Sequence, residues 1–334
     1  MEMASPQKTV IAWSLVLLLT SPVTLRAASV EELLFEAAKR GDVLQIRELI
    51  GRDAKINSQD RNGMSPLMMA TNWNKLDAVN SLLELGADPN VQREGQGALF
   101  LAVGRDTEIV KALIRAGADV NMRENRFKQT PLTIAAGHRE DTFRELKRRG
   151  SYTGPVPNRL ETVRLLIKAG ANVNNVDEYG STPLRRAMVV NNIEIAHALL
   201  ESGADVHGRT VNDNRAMQIG DTILMETIGF FSVFKDISAI ELLLNHGANP
   251  NDRNETPYDE YEEQRGGRNW RGYSALTFAA KQGWFSVVKL LLERGADPIL
   301  PRTDGKTAKE LAEENKHHET AKLIMTYLRE KPSR

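Results

Sequence analysis

From residue 29 onward, apolar and polar positions alternate with the period of short amphipathic helices. In the stretch Thr107–Arg115, Ile109, Val110, Leu113 and Ile114 fall on one stripe, with charged residues between them. That spacing predicts a helix with one buried face. Each such stripe ends at a Gly followed by Ala and Asp or Asn. The chain then passes through a polar stretch into a second apolar segment rich in Ala. The elements predicted are therefore pairs of short helices, repeated along the chain and separated by polar turns.

Two signatures recur at matched offsets. The first is Gly-Ala-Asp/Asn, at Gly86, Gly117, Gly170, Gly203, Gly247 and Gly295, with Asp53 as a degenerate first copy. A Gly there suits a left-handed C-cap, and Asp also tolerates that conformation. The second is Ser65-Pro66-Leu67, Thr130-Pro131-Leu132 and Thr182-Pro183-Leu184, with weaker versions at Gly97, Thr222, Ser274 and Thr307. Ser or Thr caps a helix, and Pro takes the first helical position, where its missing N–H costs nothing. The small residues that follow, such as Ala70, Ala102, Ala135 and Ala279, allow neighbouring helices to approach closely.

These two signatures together resemble the ankyrin repeat, a turn followed by two antiparallel helices, which recurs about every 33 residues and begins Thr-Pro-Leu-His. The resemblance implies an all-α repeat solenoid of about eight units, degenerate caps included, over residues 29–330. The units fall near 29–59, 60–91, 92–124, 125–176, 177–208, 209–252, 253–301 and 302–330, with a tail at 331–334. The sequence departs from the family in one respect. Met68, Thr133, Arg185 and Thr277 occupy the slot of the motif's His, so the family's His-mediated bonds between repeats have no donor there. Uneven spacing predicts insertions: one at 138–158 between two helices, with a short helix over Glu140–Lys147, and two in extended hairpins, one between Gly203 and Thr222 and one at 254–271.

The first 28 residues have a different layout. Lys8 precedes the apolar run Val10–Leu19, Pro22 follows it, and Ala27 and Ala28 lead into Ser29. That is the arrangement of a secretory signal peptide, with an apolar run well short of the roughly 20 residues needed to span a bilayer. Ser29 and Glu32 have capping-box spacing, so ordered structure is expected to begin where the signal ends. No later stretch is apolar enough to cross a membrane.

Composition narrows the function. Without cysteine there is no disulfide framework, thiol nucleophile or Fe–S cluster. The balance of 44 basic against 44 acidic residues argues against a dedicated nucleic-acid binder. Gly305-Lys306-Thr307 lacks the upstream Gly of a phosphate loop, and no His pair has the spacing of a helical zinc site. The expectation is a monomer that is not an enzyme and has no cofactor or metal, engaging an unidentified protein and no nucleic acid. The resemblance implies a binding surface on the concave face, formed by hairpin tips and first-helix ends. Carried over by register, its residues are Arg61, Met64, Trp73, Arg93, Arg105, Arg126, Phe127, Glu178, Tyr179, Trp270, Arg271 and Tyr273. Tip positions Gln218, Ile219 and Asp221 belong to the same series. Arg and aromatic residues are the types enriched at interface centres, which singles out Phe127, Tyr179, Trp270 and Tyr273 as anchors. The signal layout adds an envelope, periplasmic or secreted location, with an uncleaved tether to the inner membrane as the alternative. An exported effector or a periplasmic immunity or inhibitor protein is the alternative function, followed by an enzyme with its site in the insertions.

Overall fold

The structure, a computed structural model, describes residues 28–137, 158–209, 222–254 and 272–330. The apolar N-terminal run, residues 138–157 of the expected insertion with its short helix, residues 210–221 and 255–271 of the two extended hairpins, and the tail lie outside the described residues. So do Gln218, Ile219, Asp221, Trp270 and Arg271.

Sixteen helices form eight antiparallel pairs among the described residues. The first pair is α1 (Val30–Arg40) and α2 (Val43–Gly51). It is followed by α3 (Pro66–Asn72) with α4 (Leu76–Glu84), and α5 (Ala98–Ala102) with α6 (Thr107–Arg115). Next come α7 (Pro131–Gly137) with α8 (Arg159–Lys168), and α9 (Pro183–Val189) with α10 (Ile193–Glu201). The last three pairs are α11 (Ile223–Phe234) with α12 (Ser238–Asn245), α13 (Ala275–Lys281) with α14 (Phe285–Glu293), and α15 (Ala308–Glu314) with α16 (His318–Glu330).

Each odd-numbered helix packs against the next odd-numbered one, and the even-numbered helices do the same from α2 to α12 and between α14 and α16, so the pairs stack as two layers. Ala37, Ala70, Ala102, Ala135, Ala187, Ala279 and Ala312 are buried along the first layer, where small side chains permit close stacking. Leu49, Leu82, Leu113, Leu166, Leu199, Leu243 and Leu291 are buried in the second. Replacing one of these leucines with Ala would cost about 2–5 kcal/mol by lost burial and a residual cavity.

Local chemistry sets the ends of each helix. Ser65, Thr182, Ser274 and Thr307 each accept a hydrogen bond from the amide three residues on, and Ser29 makes a full capping box with Glu32. The repeat glycines have positive φ, from 85° at Gly117 to 91° at Gly247, and Asp53 takes 63°. That is the left-handed C-cap that releases the chain into the next hairpin.

The slot of the missing His is filled in three ways. Met68 is buried as an apolar plug. The Thr133 hydroxyl lies 3.0 Å from that of Thr130, and the Thr277 hydroxyl accepts the Ser274 amide at 2.8 Å. Arg185 reaches into the next unit, where its guanidinium grips Glu226 through Nε at 2.8 Å and Nη2 at 3.1 Å.

Asn side chains tie successive loops together. Asn90 Oδ1 accepts the Asp119 amide at 2.8 Å and its Nδ2 donates to the Gly117 carbonyl at 3.0 Å. Asn121, Asn174 and Asn251 make the same two bonds to the loop that follows each of them. Among the described residues the helices are joined by turns and isolated bridges, with no longer strand. The bridges Arg209–Thr222 and Arg253–Ser274 close the bases of the two long hairpins.

Candidate functional site

The tips of the second, fourth and fifth units are each held from inside by an acidic side chain. Asp60 Oδ1 accepts the amides of Asn62 and Met64, both at 2.8 Å. Asp177 Oδ1 accepts those of Tyr179 and Ser181, both at 2.9 Å. In the fourth unit the tip is one residue longer and Glu124 takes the role, accepting the amides of Arg126 at 2.8 Å, Gln129 at 3.3 Å and Phe127. A carboxylate accepting several backbone N–H groups fixes the turn and leaves the next side chains projecting outward.

Adjacent tips are also joined to each other. Asn125 donates its amide to the Glu94 carbonyl at 3.0 Å, and Glu178 donates its own to the Phe127 carbonyl at 2.8 Å. Gly95 sits where this contact is closest. Its φ is +80°, and a Cβ there would lie 2.8 Å from Asn125 Oδ1 and 2.9 Å from the Arg123 carbonyl.

On this platform Phe127 and Tyr179 lie with ring centroids 5.6 Å apart, both half-buried. The Arg126 guanidinium stands 4.7 Å from the Phe127 ring centre. Glu94, Gln96, Glu124, Asn125, Arg126, Phe127 and Gln129 line a cleft of about 490 Å³ between the third and fourth tips. Arg61, Arg93, Arg126 and Glu178 are exposed. Trp73 is 50% exposed at the end of α3, with Lys39 Nζ 5.2 Å from its ring. Arg105 is half-buried and spans two units, donating to the Asn72 carbonyl at 2.8 Å and to Asn72 Oδ1 at 3.0 Å.

Two expected surface residues are not at the surface. Met64 is 7% exposed: the Asp60 carboxylate draws its amide in, and the side chain belongs to the hydrophobic core. Tyr273 is 1% exposed. Its ring is packed between the Arg302 guanidinium at 4.7 Å and Lys281 Nζ at 5.3 Å, and its hydroxyl accepts from Arg302. Tyr273 therefore joins the last two units and is not a free anchor.

Sequence reasoning passed over Met69, Leu101 and Ile134, which pack partly against the core. Met69 and Leu101 lie four residues before Trp73 and Arg105. Each of the three stands four residues after a capping position, which is the signal that could have found them. It also passed over Glu124, the acid that holds the fourth tip. Among the described residues no cluster of His, Asp or Glu could hold a metal ion, and no helix is long and apolar enough to cross a membrane.

A stack of helix pairs joined by capped hairpins, with side chains displayed in register along one face, defines a repeat solenoid. The family profile described as "Ankyrin repeats (3 copies)" matches residues 14–93, 157–210 and 224–333, and that described as "Ankyrin repeat" matches 94–125 and 127–178. The chain belongs to the ankyrin-repeat family, whose members generally mediate protein–protein interaction and are typically non-enzymatic modules. It is similar to the DNA-binding protein RFXANK of Homo sapiens, 35% identical over 83 residues, covering 24% of this chain and 30% of that protein. It is similar to the B-cell lymphoma 3 protein homolog of Mus musculus, 40% identical over 87 residues, covering 25% and 19%. It is also similar to the putative ankyrin repeat protein FPV031 of Fowlpox virus, 38% identical over 99 residues, covering 28% and 29%. The chain thus spans less than a third of each of these relatives, which come from mammals and a virus.

Proposed function

We propose that this protein is a non-enzymatic, monomeric scaffold that binds one protein partner on the face formed by its hairpin tips and first helices. The observation that carries this reading is the Arg126–Phe127–Tyr179 stack. It is a preorganised group of an Arg and two aromatics, the residue types that dominate interface energetics, fixed by Glu124 and Asp177 before any partner arrives. The double variant Phe127→Ala with Tyr179→Ala is expected to lose partner capture while keeping its helical circular dichroism. Undiminished capture by that folded variant would overturn the assignment.

We place the protein outside the cytoplasm, in the cell envelope or secreted, on the strength of the signal-like layout of residues 1–28. Mass spectrometry of the mature protein is expected to find an N-terminus near Ser29. A mature chain that retains Val10–Leu19 would favour a tether or remove the export reading.

A further inference from the structure

Two lines of side chains run in register through the second, third and fourth units, and both stop at the fifth. Four residues before the capping positions Ser65, Gly97 and Thr130 stand Arg61, Arg93 and Arg126, all exposed. Four residues after the same positions stand Met69, Leu101 and Ile134, all half-buried. About Thr182 the same two offsets give Glu178 and Arg186, and the Arg186 guanidinium is already held by the Asp177 carboxylate at 2.5 Å.

No carboxylate among the described residues pairs with any of the three tip arginines. The stem of Arg93 lies over Gly63 and the guanidinium of Arg126 over Phe127, so both are directed without being neutralised. In a chain of zero net charge, a row of unpaired cations beside an apolar row calls for an opposite charge from outside.

We propose that the second to fourth units bind an extended, acidic segment of a protein partner, its carboxylates on Arg61, Arg93 and Arg126 and its apolar side chains on Met69, Leu101 and Ile134. This assignment rests on the reading of the tip-and-helix face as the binding face. Stacked helices stand about 8–10 Å apart, and an extended chain in the polyproline-II conformation advances about 3.1 Å per residue with three residues per turn, so carboxylates at every third position share one face and match one Arg per unit. Arg is suited to bidentate carboxylate recognition. A nucleic-acid strand fits less well, because its phosphates could meet the arginines but would leave the apolar row of Met69, Leu101 and Ile134 uncovered.

The test is fluorescence anisotropy with the full chain and a labelled peptide of repeated Glu-Leu-Ser. Comparison probes are its Glu→Lys counterpart, a peptide of equal composition with the Glu residues clustered, and a single-stranded thymidine oligonucleotide. The Glu-Leu-Ser peptide is expected to bind most tightly. Its affinity is expected to fall at least about tenfold in Arg61→Glu/Arg93→Glu/Arg126→Glu, which should instead bind the Lys peptide. The milder triple Arg→Gln variant keeps the side-chain stems and gives a second readout if charge reversal impairs folding. Equal binding of the clustered peptide, tighter binding of the oligonucleotide, or indifference to both triple variants would overturn the proposal. Met69→Arg with Leu101→Arg separates the two levels of inference. If peptides bind without regard to acidity yet are lost in that variant, the acidic segment fails and the binding face stands. If no probe depends on either set, both fail.

Discussion

His207 occupies a position at which the structure should gain stability from a single substitution. The clamp residues Asn90, Asn121, Asn174 and Asn251 each bridge to the next loop by accepting one amide and donating to one Gly carbonyl. In the equivalent place after the fifth unit stands His207, whose amide is held by Asp205 Oδ1 at 2.8 Å just as the Asn174 amide is held by Asn172 Oδ1 at 2.9 Å. The backbone is therefore in clamp geometry, but the side chain does not bridge to Gly247 and Asn249. His207→Asn is expected to supply both bonds. A net hydrogen bond contributes about 0.5–1.5 kcal/mol, and these groups are exposed enough for water to compete, so the gain should be about 1–2 kcal/mol in all. Because stacked repeats unfold by neighbouring units, the effect should be concentrated at the junction of the fifth and sixth units and only diluted in a global transition. The assay pairs urea unfolding with amide exchange at Asn249, which should slow. The reverse change, Asn174→His, should lose a similar amount. If Asn174→His is destabilising while His207→Asn alters neither stability nor exchange, the clamp does not transfer by register and the reasoning is wrong.

Glu226→Ala leaves the buried Arg185 guanidinium without its partner and should cost about 3–5 kcal/mol in urea unfolding, whereas a joint replacement of both residues by apolar ones should recover most of that. Gly95→Ala should destabilise by at least about 1 kcal/mol, since it strains a positive φ and presses a Cβ onto the neighbouring tip; the thermal midpoint reports it. Glu124→Ala removes the acceptor for three amides and should loosen the Phe127–Tyr179 pair, seen as greater proteolysis at residues 125–129 with the helices intact. Hydrogen bonds from the Thr307 backbone and then its hydroxyl hold the Glu310 carboxyl below its ordinary pKa. A depressed carboxylate stabilises above its unfolded value, about 4.3, and that support is lost as the pH falls through the lower folded value. The Thr307 amide resonance should therefore shift on acidification from about pH 6 to about pH 2.5 with a midpoint below that of free Glu, and a midpoint at or above it would refute the capping assignment.

The repeat architecture was legible in the sequence because its signals are backbone chemistry. Gly at a left-handed cap, Ser or Thr before Pro, and Ala on the stacking face each state a local requirement that a single residue meets. The tips were legible in register but not in orientation. Met64 and Tyr273 lie in the same polar hairpin stretches as Arg61 and Arg93, and which of them turns inward depends on bonds no spacing reveals: the Asp60 carboxylate for Met64, and Arg302 and Lys281 from beyond its own hairpin for Tyr273. Glu124, which neither repeat signature singles out, shapes the tip that bears the aromatic stack. The loss of the motif's His could be read, but not its replacement. The partner of Arg185 is 41 residues further on, across a hairpin of irregular length.

That replacement bears on where the surface ends. Between the fifth and sixth units the Asn clamp is absent, and Arg185 with Glu226 forms the connection instead, with side chains only 6% and 9% exposed. Withdrawing two charges from water costs several kcal/mol, largely returned by their mutual attraction, so such a pair contributes more to fixing one alignment than to net stability. At the same junction Arg186 is drawn onto Asp177. Among the described residues beyond this point, Arg209 approaches Asp252 at 3.9 Å and Lys306 reaches Glu314 at 2.7 Å, both contacts within the chain. In the second to fourth units Arg61, Arg93 and Arg126 pair with no carboxylate among the described residues. A partner that reads charge would find it there, and substitutions at Arg61 or Arg93 should alter binding with little effect on unfolding. Substitutions at Arg185 should do the reverse.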